Sequence, residues 1–344
     1  MLIDWITARL DDSFLPPETW RALQAQGDRI VRFSADSGDV VWETSAWDSI
    51  RSDSHTVAFR VGSDSLWIQG SPARVCGTGC AVFGSDSAQK LDLVGCVESM
   101  RKFVGKQIGV ILPHALSWAV TRIDVTGNLL LDSLSDVRAA LLVLRGCEGG
   151  RYRVSQQAGD TVYWSHKSRI RKGKAYAKGP HLLYQANRKG YEGKIYSPVE
   201  LNATDRLLRL ELTLGSQWLR RNCVNNSWSD LTAHQLTREW ESYFNRMVGD
   251  AMITNDYTLK ERIQLVAPTE GQARAAYGCW LVISSEGWER AQQSFSKTSW
   301  YRHLNVLRAA GLGDADLSAG TVVQFRRRIL EAQLVNDWSE LLAA

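Results

Sequence analysis

Up to about residue 215 the chain runs in short stretches where apolar and polar positions alternate, separated by Gly, Ser, Asp and Asn. Examples are "RIVRFSADSGDVVWE", "TVAFRVGSDSLWIQGSP", "SWAVTRIDVTGN", "GGRYRVSQQAGDTVYW" and "DRLLRLELTLGS". A period of two in β-branched and aromatic residues, punctuated this way, predicts strands of a mainly antiparallel sheet. Two helices interrupt it, "SAQKLDLVGCVESMRKFVGKQI" and "SLSDVRAALLVLRGC"; in the second, Ser133 or Ser135 can cap a run with Val137, Leu141, Leu142 and Leu144 on one face. Beyond about residue 215 apolar residues recur at three and four, as in "TAHQLTREWESYFNRMVGDAM" and "SKTSWYRHLNVLRAAGL", which predicts helices. The pattern gives an α+β fold: residues 1–215 form a mainly antiparallel sheet with packed helices, and residues 216–344 an all-α C-terminal domain.

Alternation also sorts side chains by face, because residues i and i+2 of a strand point the same way. In "AVTRIDVT", Arg122 and Asp124 share a face; in "RLLRLELTL", Arg209, Glu211 and Thr213 do, opposite a row of leucines. In "GKAYAKG", Lys174, Tyr176 and Lys178 share a face, with Ala175 and Ala177 opposite. If these strands adjoin, a tyrosine, two carboxylates and several cations meet on one surface. Asp124 and Glu211 would then offer oxygen ligands to a hard divalent cation, Mg²⁺ or Mn²⁺. Tyr176 would be the nucleophile, its phenolate stabilised by Lys174, Lys178 and Arg169. R-x-D and R-x-E strands also carry plain charge pairs on solvated faces, so spacing alone leaves a structural role open.

The net charge of +4 over 344 residues says little, but its distribution says more. From Thr161 to Tyr191 there is no Asp or Glu, while Lys167, Arg169, Arg171, Lys172, Arg188 and Lys189 accompany the two lysines around Tyr176. Such a segment is expected to contact nucleic-acid phosphate. Base contacts are expected from Asn187, Arg188 and the helical part, where Arg302, His303 and Arg326, Arg327 and Arg328 cluster, and Trp164 is a candidate stacking platform. The six cysteines read as reduced and structural; only Cys76 and Cys80 are close in sequence, too few for a zinc site. No leader-like start and no apolar run long enough for a membrane span is visible, so a cytoplasmic protein without membrane contact is expected.

The order of several short motifs resembles the replication-initiation proteins of filamentous phages, the gene II/gene X type. They are "SPARV", "VFGSDS", "TRIDVT", "DTVYW" followed by "SRIRKGKAYAKG", "LLRLELTL", "YGCWLVISSEG" and "SWYRHLNVLRAAGL", from about residue 71 to residue 312. The resemblance implies a rolling-circle initiator nickase-like fold, related to HUH nickases but lacking their His-hydrophobic-His triplet. It implies a site- and strand-specific endonuclease that nicks origin DNA in the host bacterial cytoplasm and becomes joined through a tyrosine to the 5′ phosphate. The free 3′ hydroxyl then primes rolling-circle synthesis, and the displaced strand is rejoined. Host helicase, polymerase and single-strand-binding protein would work beside it on double- and single-stranded origin DNA. The family tyrosine maps onto Tyr176 and its following lysine onto Lys178. A histidine at the metal would be His166, ten residues before Tyr176, and a second tyrosine, Tyr184, is too far along the chain for the paired-tyrosine spacing. A non-catalytic origin-binding protein and a metal nuclease using water are the rival expectations.

Overall fold

The computed structural model describes residues 1–344 except 27–28, 34–39, 46–47, 52–55, 76–79, 85, 146–153, 156–159, 188–193, 224–226, 249–255 and 321–331. The strands are β1 Leu2–Asp11, β2 Arg29–Phe33, β3 Val40–Ser45, β4 Asp48–Arg51, β5 Thr56–Val61, β6 Ser65–Gly70, β7 Trp118–Leu130, β8 Val154–Ser155, β9 Thr161–Trp164, β10 Arg171–Ala177, β11 Leu207–Gly215 and β12 Leu334–Val335. β2 and β3 form a hairpin apart; the rest make a ten-stranded sheet in the order β4-β5-β6-β1-β7-β11-β10-β9-β8, with β12 also on β7. The described pairings are antiparallel, as the alternating pattern predicts.

The centre of this sheet follows from the leucine row of β11. Leu208, Leu210, Leu212 and Leu214 are buried on one face, each contributing about 2 kcal/mol of burial. Register puts Ala177, Ala175 and Gly173 beside them on β10 and Leu129, Gly127 and Val125 on β7. The smallest of these neighbours, Gly173 and Gly127, make room for the Ala233–Val248 helix, whose Leu236, Trp240, Tyr243, Phe244 and Met247 join the same core. A Cβ on Gly173 would stand 2.5 Å from the Tyr243 ring, and one on Gly127 2.7 Å from Trp240. Gly173→Ala is therefore expected to destabilise the protein by about 1–3 kcal/mol, read as a lower midpoint in urea unfolding at an unchanged slope.

The predicted helices are present with refinements. The first is split: Asp86–Gln89 and Leu93–Ile108 meet at Leu91, which takes φ 54°, and Asp92 caps the second by accepting from the Gly95 amide. The second runs Leu134–Arg145 with Ser133 accepting from the Asp136 amide; Val137, Leu141 and Leu144 are buried, whereas Leu142 is exposed.

The chain does not divide at residue 215. Helices Ser216–Asn222 and Ala233–Val248 pack on the sheet, because their aromatic residues complete its apolar face. A separate helical core begins later, built from residues such as Leu259, Trp280, Ile283, Trp300, Leu304 and Leu317. The end of the chain then returns: β12 pairs Leu334 and Val335 with Leu129 and Asn128 of β7, and Trp338 of the closing helix packs on Phe83 and Tyr196. The helical unit is thus an insertion ahead of the last strand rather than a terminal domain over 216–344. Among the described residues no helix is long and apolar enough to cross a membrane.

Candidate active site

β7, β11 and β10 are adjacent, so the three segregated polar faces merge into one. Lys174 lies opposite Glu211, Tyr176 opposite Arg209, Thr126 opposite Glu211 and Asp124 opposite Thr213. The Tyr176 hydroxyl donates to Glu211 Oε1 at 2.6 Å. Lys174 Nζ stands 3.3 Å from Glu211 Oε2 and 3.9 Å from the centre of the Tyr176 ring. The phenol is almost wholly buried, at 2% exposure. Burial first, and then the negative charge of Glu211, push its pKa well above that of a free phenol.

Beside the tyrosine, on β11, is a buried guanidinium. Arg209 donates from Nε to Asn128 Oδ1 at 2.8 Å, from Nη1 to the Ala81 carbonyl at 3.0 Å and from Nη2 to the Val82 carbonyl. Asp4 lies 3.6 Å from Nη1. Burial works against its charge, but Tyr176, Asp4 and Glu211 more than offset this and raise its pKa further. The carbonyl contacts also fasten the 80–83 segment over the tyrosine end of the polar face, since Asn128 Nδ2 donates to Val82 O at 3.1 Å as well. Removing the guanidinium would leave these buried carbonyls, and the half-buried Asp4, without it. Arg209→Leu is expected to cost about 3–5 kcal/mol in equilibrium unfolding.

Asp124 is also buried, and Arg122 holds both its oxygens, at 2.8 and 2.6 Å. Burial raises its pKa against the pull of Arg122, and the nearby Glu211 charge adds to the rise. Asp124, Glu211 and the Thr126 hydroxyl, which has no hydrogen-bond partner among the described residues, are hard oxygen donors on adjoining strands. In kind they fit Mg²⁺ or Mn²⁺; in number they fall short, since among the described residues no three His, Cys, Asp or Glu side chains are grouped to hold a metal.

Several expectations need correcting. His166 does not join this cluster: it is exposed in the β9–β10 turn, whereas Tyr176 pairs with Thr161 at the other end of the hairpin. The imidazole beside the tyrosine is that of His181, with ring centres 4.7 Å apart. Arg169 is in the same turn, roughly 20 Å up the strand, and Arg209 takes the place beside the phenol that Arg169 was expected to hold. Lys178 is not the next strand position: the chain turns into the Lys178–Ala186 helix there, and the amine is buried 5.8 Å from the Tyr176 ring centre.

Of the basic segment, Lys167 is exposed in the turn and Lys172 lies on the tyrosine's face. Arg171 points to the opposite one, paired with Glu239 at 2.5 Å and stacked over Tyr243, because residues 171, 173, 175 and 177 face the Ala233–Val248 helix. Arg188, Lys189 and Arg326 to Arg328 lie outside the described residues. Trp164 is fully buried against Phe244, and His303 is buried against Phe295, so neither offers a surface to a base. Tyr184 is exposed on the helix after Tyr176. Cys80 is buried with its thiol free; Cys76 lies outside the described residues.

The residues missed from sequence are Asp4, Asn128 and His181. Asp4 stands in the strand "LIDWITARL" between buried Ile3 and Ile6, and a β-bulge at this point of β1 brings it to the polar face. A lone carboxylate in an apolar strand was the available signal; the bulge was not readable.

Residues 2–242 match the family described as the N-terminal part of the phage replication-associated protein, the gene II protein. The match ends inside the Ala233–Val248 helix, the element that closes the sheet's apolar core. The replication-associated protein of the same description from Enterobacteria phage I2-2 is 25% identical over 334 residues, covering 90% of this chain and 87% of that protein. The chain belongs to this family of phage replication-associated proteins of the gene II type.

Proposed function

We propose that this phage replication protein nicks one strand of its origin by transesterification, with Tyr176 as nucleophile. The observation that carries this reading is the 2.6 Å hydrogen bond from the Tyr176 hydroxyl to Glu211. A buried phenol is a poor nucleophile until its proton has somewhere to go, and Glu211 is the acceptor already in place. As Tyr176 Oη forms its bond to phosphorus, the proton passes to Glu211 and the P–O3′ bond breaks. The products are a 5′-phosphotyrosine and a 3′ oxygen that takes up a proton to become the priming hydroxyl. Lys174 and Arg209, on either side of the phenol, offset the charge that gathers on the phosphoryl oxygens.

This chemistry needs the scissile phosphate at a phenol now buried. The 80–83 segment must therefore lift from Arg209 and Asn128, or the Lys178–Ala186 helix must shift, when DNA binds. Asp124 and Glu211 would hold Mg²⁺ or Mn²⁺ once Arg122 releases Asp124, with water and a DNA phosphate completing the shell. A cation bound there would polarise the phosphate. Because the phosphotyrosyl bond conserves the cleaved bond's energy, attack by a DNA 3′ hydroxyl would rejoin the displaced strand without ATP. Unwinding and synthesis would fall to host helicase, polymerase and single-strand-binding protein.

The test incubates the protein with supercoiled DNA carrying its own origin and Mg²⁺ or Mn²⁺, then examines the nick. A free 3′ hydroxyl that primes polymerase, beside a 5′ end that carries the protein and stays blocked by a tyrosyl peptide after protease digestion, is expected. A free 5′ phosphate would make the protein a nuclease using water, and binding without any nick would make it an origin-binding protein.

A further inference from the structure

The polar face of the sheet continues well past the tyrosine. Toward the start of β7, register places Asp124 opposite Trp5 and Arg122 opposite Thr7 of β1. β1 in turn places Arg9 opposite Trp67 of β6, which lies opposite Arg60 of β5. Directly paired residues share a face, so Trp5, Arg9, Trp67 and Arg60 form one row with Arg122 and Asp124. Aromatic rings and guanidinium groups are interleaved along it: Arg122 is 5.6 Å from the Trp5 ring centre, and Arg9 and Arg60 flank Trp67 at 5.9 and 5.6 Å.

The indoles are anchored edge-on, Trp5 Nε1 donating to Thr7 Oγ1 at 3.3 Å and Trp67 Nε1 to Ser65 Oγ at 3.0 Å. Both rings and all three arginines remain partly exposed. Beside Trp67 is a cleft of about 680 Å³, whose lining adds Thr121, Ser216 and the exposed Arg220 to Arg9 and Trp67. A cleft of that size accommodates a nucleotide. Of the carboxylates on this face, Asp124 is paired with Arg122 and Asp4 with Arg209, and among the described residues Asp11 and Asp64 stand at the row's far end.

We propose that this row is the track for the single strand next to the nick, with bases stacked on Trp67 and Trp5 and phosphates held by Arg9, Arg60, Arg122 and Arg220. Stacking rings alternating with cations suit single-stranded nucleic acid, whose bases are free to leave the helix, better than a closed duplex. By strand spacing and rise the Trp67 end lies roughly 30 Å from Tyr176, a span of several nucleotides. Which strand occupies the track rests on the nickase reading above; single-strand binding by this face does not.

The experiment measures binding of a fluorescent thymidine oligonucleotide of about 20 nucleotides to the full chain in EDTA, where no cleavage intervenes. Trp67→Ala is expected to weaken binding about ten-fold and Trp67→Phe far less, since the ring is what stacks. Arg9→Ala should flatten the salt dependence by about one phosphate contact. If Trp67→Ala does not fold, an Arg9→Ala/Arg60→Ala double variant carries the test, with an expected loss of about ten-fold. Folded variants that bind like the wild type would overturn the track. Tyr176→Phe separates the two readings: if it binds the oligonucleotide normally and wild type forms no tyrosyl adduct on origin DNA, the track stands and the nickase reading falls. If an adduct forms while the Trp67 and Arg9 variants bind normally, the reverse holds.

Discussion

Tyr176→Phe is expected to lose nicking entirely while the protein stays folded and still binds DNA. The substitution removes one oxygen from a buried ring whose other contacts, with Lys174, Lys178 and His181, are to the face and edge that phenylalanine keeps. What is lost is the hydroxyl's hydrogen bond to Glu211 and its contact with Arg209, a cost of about 1 kcal/mol because Glu211 retains Lys174 and Arg209 retains Asn128 and the Ala81 carbonyl. A drop of that size leaves a domain with this much buried apolar surface folded. The loss of activity should therefore be complete while unfolding shifts only slightly, and gel analysis of supercoiled origin DNA beside urea denaturation reads both. Nicking by the variant at even a tenth of the wild-type rate would mean that water or another residue attacks.

Glu211→Gln is the second large effect, and its pH dependence is more informative than its size. If Glu211 accepts the phenol's proton, the variant should nick about 10²–10⁴-fold more slowly near neutrality. Without an acceptor the reaction depends on phenolate already present, so the variant's rate should climb with pH while the wild type's stays nearly level. The same substitution removes a negative charge that raises the Tyr176 pKa. A group whose pKa is raised on folding contributes stability in full below its unfolded value, about 10 for tyrosine, and loses it as pH rises through the folded value. Glu211→Gln lowers that folded value, so above a pH of about 10 the variant should lose less stability than the wild type, read by urea unfolding on both sides of that pH. A uniformly slow variant with a wild-type pH profile would instead reduce Glu211 to a structural partner of Lys174.

Much of this site was legible because alternation is a strong constraint. Arg122 with Asp124, Arg209 with Glu211, and Lys174 with Tyr176 fall on one face by spacing alone, and three adjacent strands bring them together. The order of the motifs made the family recognisable at low identity. What spacing could not supply was the point where a strand stops. Lys178 continues the alternation on paper, yet it is the first residue of a helix, and the same turn brings His181 back onto the tyrosine ring. Hairpin register was equally hidden: "VYWSH" and "AYAK" are close in sequence, but their pairing sends His166 and Arg169 to the far end from Tyr176. Arg171 and Trp164 look like nucleic-acid ligands by composition and are core and packing residues by face. The domain boundary was missed because the helices that follow β11 carry the aromatic side chains the sheet needs, and helical period says nothing about what a helix covers.

The proposed nucleophile is almost as inaccessible as Arg209 and Lys178, the fully buried cations near it. On that proposal, a tyrosine held at 2% exposure and tied to a carboxylate would be kept from adventitious attack on DNA until something displaces the 80–83 segment or the helix after it. Origin recognition and activation would then be one event, because the contacts that place the phosphate also open the cover.

The central claim is that Tyr176 becomes covalently joined to DNA. The most direct measurement incubates the protein with supercoiled origin DNA and Mg²⁺ or Mn²⁺, digests the DNA and the protein, and weighs the peptide that contains residue 176. A nucleotide phosphate on that peptide, located at Tyr176 by fragmentation and absent from Tyr176→Phe, is the predicted result. Nicked DNA with the peptide unmodified, or an adduct on Tyr184 in its place, would contradict it.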